Sequence, residues 1–102
     1  MAVQQWMPVD VKERMGQSRP LQILDVREPA EFTSGHIPGA KLIPLGQLMN
    51  RLSEVDRKQD CIVVCRSGNR SSMACQVLQQ NGYEKVYNLM GGMSYWDGDV
   101  AY

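Results

Sequence analysis

The chain has 102 residues, with eleven basic and eleven acidic side chains and a formal net charge of zero. That length suits one small domain with a single core, spanning residues 1–102. The charge balance argues against an obligate nucleic-acid binder, which would carry a basic excess. No apolar stretch approaches the roughly 18 residues of a membrane-spanning helix.

From the N-terminus, Val3–Met7 reads as a short edge strand. Met1 to Trp6 shows neither the basic region nor the apolar region of a secretory leader. Pro8 suits a first helical position, Val11 and Met15 share a helical face, and Gly16 stops the helix. Leu21–Val26 is apolar enough for a buried strand. Glu28–Phe32 starts a helix, with Pro29 in its first turn and Gly35 at its end. Ile37-Pro38-Gly39-Ala40 is a turn, and Lys41–Ile43 a short strand. Leu45, Leu48, Met49 and Leu52 fall on one face of a helix ending near Val55. Asp60 marks the turn into a central strand, Cys61–Val64. A helix from about Ser71 ends at Asn81-Gly82, Val86–Leu89 is a strand, and Met93–Trp96 a last helical turn after Gly91-Gly92. Strands alternate with helices throughout, which predicts an α/β fold: a parallel sheet with helices on both faces.

In such sheets ligands bind beyond the carboxyl ends of the strands. Cys65 follows the central strand, and Arg66-Ser67-Gly68-Asn69-Arg70-Ser71 leads from it into a helix. Backbone N–H groups at a helix start, the helix dipole and two guanidinium charges all favour a thiolate there. Cys61, in the apolar run, and Cys75, within the helix, read as inert core residues. An odd total of three cysteines, one of them reactive, suits a reducing compartment, so a soluble cytoplasmic protein is expected. Asp25 and Arg27 stand at the end of a second strand and face the same sheet edge.

Three segments resemble the rhodanese-like sulfurtransferase family. They are Asp25-Val26-Arg27-Glu28-Pro29-Ala30-Glu31-Phe32 with Gly35-His36-Ile37-Pro38-Gly39-Ala40, then Cys65 to Ser71, then Asn88-Leu89-Met90-Gly91-Gly92-Met93 with Trp96 downstream. Together they span most of the chain. The resemblance implies a five-stranded parallel sheet flanked by helices and a persulfide carried on Cys65. A donor such as thiosulfate would load it, and cyanide, a small thiol or a protein would unload it. It also implies that the loop N–H groups of Arg66 to Ser71 cradle the terminal sulfur. Arg70 then holds the loop or binds the anionic donor, and Arg66 steers donors from a more exposed position. Gly68 permits close backbone approach, Ser67 and Asn69 fit a turn, and Ser71 can cap the helix. Asp25 and Arg27 support the loop's surroundings. His36, the only histidine, serves the fold, since a low-pKa thiolate needs no general base. Neither metal nor cofactor is expected.

A phosphatase or arsenate reductase on the same fold is the first rival. Tyrosine phosphatases use Cys-x5-Arg, whereas Cys65 to Arg70 is Cys-x4-Arg, a tighter nest better matched to one sulfur atom. A non-catalytic binding module is the other rival, and the retained Cys65 speaks against it.

Overall fold

The computed structural model of the protein describes residues 2–102. At its centre lies β4, Asp60–Val64, whose side chains alternate between two cores because successive residues of a strand point to opposite faces. Cys61 and Val63 join Leu24, Val26, Ala74, Cys75 and Leu78 on one face. Ile62 and Val64 join Val11, Ile23, Ile37 and Leu89 on the other. Burial on both faces is what makes the run continuously apolar.

Beside β4 run β2 (Leu21–Asp25) and β5 (Val86–Leu89), with β3 (Lys41–Leu42) and β1 (Gln4–Trp6) at the edges. The five strands are ordered β1-β5-β4-β2-β3. Every pairing is parallel, as expected from the alternation of elements. The chain leaves β2 toward β3 on one side and leaves β4 toward β5 on the other. The two connections diverge, so a crevice opens above the carboxyl ends of β2 and β4. In register, Asp25 sits opposite Val64 at that crevice.

Helix α1, Pro8–Met15, begins at the proline, and the Asp10 carboxylate accepts the Met7 N–H at 2.8 Å. Val11 is fully buried against the sheet. Met15, expected on the same face, is instead exposed, and Arg14 is buried. The guanidinium can be buried because Asp60 and the carbonyls of Arg19 and Pro20 absorb its donors. Helix α2 spans Pro29–Thr33.

The segment from Leu45 departs from the expected single helix. It forms two 3-10 pieces, Leu45–Asn50 and Leu52–Glu54. Their N–H groups bond three residues back, Gln47 to Pro44, Arg51 to Leu48 and Glu54 to Arg51. A three-residue turn stacks Leu45 over Leu48 and rotates Met49 to solvent. Helix α3, Asn69–Gln80, starts two residues earlier than expected and stops where Asn81-Gly82 predicted. Helix α4 covers Gly92–Tyr95. Both α3 and α4 are entered through a glycine with positive φ, Gly68 at +107° and Gly91 at +78°. A side chain is rarely tolerated in that conformation.

Candidate active site

Cys65 stands one residue past β4, in the crevice between β4 and β2, and is 1% exposed. Its Sγ accepts the Gly68 N–H at 3.0 Å and the Ser71 hydroxyl at 3.2 Å. The carbonyls of the loop are drawn the other way. Cys65 C=O accepts the Met93 N–H at 2.9 Å, and Arg66 C=O accepts both the N–H and the hydroxyl of Ser94. With its oxygens tied to α4, the loop turns its N–H groups toward the sulfur, forming an anion-binding nest. Gly92 makes this clamp possible, since a Cβ there would collide with the Cys65 carbonyl and the Arg66 backbone.

Burial by itself pushes the Cys65 thiol up, and it is the largest single influence. The Ser71 hydroxyl and the N–H groups of Ser71, Gly68 and Ser67 together outweigh it, so the thiol ends below its ordinary value. Among the described residues no such donor reaches the sulfur of Cys61 or Cys75. Burial pushes Cys75 up to about 12 and Cys61 higher still. The nest is thus backbone and hydroxyl in composition.

The two loop arginines are placed differently. Arg66 is exposed beside a groove of about 330 Å³ that Arg27, Glu31, Ser34, Met93 and Ser94 also line. Arg70 instead makes a two-point ion pair with Glu31 of α2, at 2.7 and 2.8 Å. That pair holds the Glu31 carboxyl down at about 2. Ser67 and Asn69 are exposed, and Gly68 is buried. Ser71 lies inside the first turn of α3 with its hydroxyl on Cys65 and on Asn88.

Asp25 and Arg27 are both buried at the end of β2. Arg27 Nε and Nη2 chelate the Asp25 carboxylate at 2.8–3.1 Å. Nη2 also donates to the Gly35 carbonyl at 2.8 Å. The pair fastens the segment after α2 to the crevice. His36 stacks on Phe32 with ring centroids 3.8 Å apart and bonds the Phe32 carbonyl through Nδ1.

Two residues of this site escape sequence reasoning. Glu31 sits among several acidic residues near a helix start, and nothing local marks it as the partner of Arg70. Asn88 did leave a signal, a polar residue between Tyr87 and Leu89 in a buried strand. Its amide reaches Gly68, Ser72 and Gln5.

A family model described as the rhodanese-like domain matches residues 7–99. A sulfurtransferase of Allochromatium vinosum is 38% identical over 86 residues, covering 84% of this chain and 80% of that protein. The Bacillus subtilis protein YrkF is 39% identical over 87 residues, 85% of this chain; the matched part is only 47% of YrkF, so the chain spans about half the length of that relative. A crystal structure of a rhodanese-like domain protein from Staphylococcus aureus superposes with a TM-score of 0.88 at 34% identity, covering 95% of this chain and 93% of the other.

Proposed function

The chain belongs to the rhodanese-like domain family, and on that premise we propose that it transfers sulfane sulfur from a donor such as thiosulfate to a thiophilic acceptor through a persulfide on Cys65. The Cys65 thiolate attacks the outer sulfur of the donor. A new S–S bond forms, the bond from outer sulfur to the sulfonyl sulfur breaks, and sulfite leaves with the electron pair. Cyanide, a small thiol or a protein thiol then attacks the outer sulfur and restores the Cys65 thiolate. No oxidant is consumed, because the donor already holds sulfur at the transferable level.

One observation carries this reading: the nest closes on a single sulfur atom. Gly68 N–H and Ser71 Oγ converge on Sγ at 3.0 and 3.2 Å. Arg70, which closes a phosphate-binding loop in the rival reading, is occupied by a carboxylate here. The terminal sulfur of a persulfide carries the negative charge that inward N–H groups stabilise. Arg66 is the exposed loop cation, and from the edge of the groove it would attract an anionic donor. Asp25 and Arg27 act by fixing the crevice wall.

Steady-state kinetics test the reading. With thiosulfate and cyanide varied against each other, a covalent intermediate gives parallel double-reciprocal lines. Intersecting lines would contradict a Cys65 persulfide that forms, with sulfite released, before the acceptor binds.

A further inference from the structure

Ser71 has one hydroxyl proton and two neighbours that want it. Its Oγ lies 3.2 Å from Cys65 Sγ and within hydrogen-bond reach of Asn88 Oδ1. The direction of the Asn88 amide is fixed by its surroundings. Its nitrogen faces the Gly68 carbonyl at 3.3 Å, which can only accept, as well as Ser72 Oγ and Gln5 Oε1. Oδ1 must therefore face Ser71, the one donor that reaches it among the described residues.

The consequences differ with the state of Cys65. As a thiol, Cys65 donates its S–H to Ser71 Oγ, and Ser71 donates to Asn88 Oδ1, so all three groups are satisfied. As a thiolate, Cys65 has lost its proton to water and can only accept. Sulfur, which keeps the Gly68 N–H either way, and the amide oxygen then compete for one proton, and when sulfur takes it Asn88 Oδ1 is a buried acceptor with no partner among the described residues. Asn88 is 2% exposed, so water does not relieve it.

We propose that Asn88 is a positioning residue that acts through Ser71, competing with the Cys65 thiolate for the hydroxyl proton and so favouring the states of Cys65 that leave that proton free. This rests on Cys65 being the sulfur that reacts. In a persulfide, Sγ is a neutral two-bonded sulfur and the charge sits on the outer atom. The hydroxyl then returns to Asn88. The pair therefore favours the protonated and the loaded forms over the empty thiolate.

Other charged and titratable groups stand on the elements around Cys65; the titratable residue of α4, Tyr95, is exposed. On its own loop and helix are Arg66, Arg70 tied to Glu31 of α2, and Cys75. On β2, Asp25 and Arg27 are locked to each other. The titratable residue of β5, Tyr87, points its hydroxyl to Asp60 at the far end of the sheet. None of these hydrogen-bonds the side chain of Asn88 or Ser71.

The test is the pH dependence of Cys65 alkylation by iodoacetamide, with the adduct located by peptide mass spectrometry. Four proteins are compared: parent, Asn88→Ala, Ser71→Ala and the double variant. The midpoint is expected to fall in Asn88→Ala, raising the thiolate fraction below it about fivefold, the worth of one hydrogen bond. It is expected to rise in Ser71→Ala. Asn88→Ala should cause no further shift once Ser71 is gone, whereas an effect of lost packing would persist. A rise in Asn88→Ala, or the same fall in the Ser71→Ala background, would overturn the proposal. Should Asn88→Ala not fold, Gln5→Ala loosens the amide from an exposed edge strand. It should give a smaller fall with Ser71 present and none without it, and no shift in either background overturns the proposal. The assay contains no sulfur donor, so failure of sulfur loading would count against the proposed function and not against this coupling.

Discussion

Cys61 and Cys65 lie at opposite ends of one strand and are equally hidden, each 1% exposed. Their thiols are nevertheless pushed in opposite directions, Cys61 far up and Cys65 down. Burial acts the same way on both. The difference is what meets the sulfur. Cys61 faces the apolar side chains packed beneath α3, whereas Cys65 faces donors from a loop whose carbonyls are pinned elsewhere. The direction in which each thiol is pushed thus follows the oriented N–H groups at the strand end and not exposure.

The sharpest way to break that contrast is to remove the sulfur. Cys65→Ser keeps the shape of the loop and should reduce thiosulfate:cyanide sulfurtransferase activity to background while thermal unfolding stays close to the parent. Residual turnover above background would place the chemistry on another residue.

Next in size is the clamp. Gly92→Ala drives a Cβ into the Cys65 carbonyl and the Arg66 backbone, at a φ of +56°. A destabilisation of about 1–3 kcal/mol is expected from strain and overpacking. With the carbonyls freed, the loop N–H groups lose their aim, and the Cys65 alkylation midpoint should rise. A folded variant with an unmoved midpoint would show that α4 does not orient the nest.

A smaller effect is expected from Glu31→Gln, which frees Arg70 toward the groove. The KM for thiosulfate should fall a few-fold at low ionic strength and return toward the parent value in salt, because an exposed charge is screened. An unchanged KM would mean that Arg70 does not reach the donor. The same ion pair has a pH signature. The Glu31 carboxyl is depressed in the folded protein to about 2, so its contribution is present above the ordinary carboxylate range. That contribution is lost as pH falls through the folded value. Partial exposure limits it to roughly 0.5–1 kcal/mol. The stability difference between parent and Glu31→Gln should hold from neutral pH to about 5 and vanish toward pH 2. A difference constant down to pH 2 would contradict the pairing.

Least affected should be Cys61→Ala. It leaves a small cavity beneath α3, costing about 1 kcal/mol, with sulfur transfer unchanged. A large loss of activity would mean that the two ends of β4 are coupled.

Much of this arrangement was legible in the chain. The alternation of elements predicted the parallel sheet, and the apolar run before Cys65 predicted its place at a strand end. What the pattern of residues lacked was anything acting across elements. Strand order is a long-range property, so the neighbouring of β2 and β4 that makes the crevice had to come from the structure. Arg70 and Glu31 are 39 residues apart, and Ser71 and Asn88 are 17 apart. Local reasoning therefore assigned Arg70 to the loop or the donor and Ser71 to a helix cap. The stretch from Leu45 fits α-helical spacing equally well on paper. The three-residue hydrogen bonds that replace it are chosen by packing of Leu48 under the sheet, which spacing does not encode.

The most direct measurement is the intact mass of the protein after incubation with thiosulfate, with Cys65→Ser beside it. The account predicts a gain of about 32 Da, one sulfur atom, in the parent, reversed by cyanide and absent from the variant. An equal gain in Cys65→Ser, or none in the parent with thiosulfate or with a persulfide donor, would contradict it.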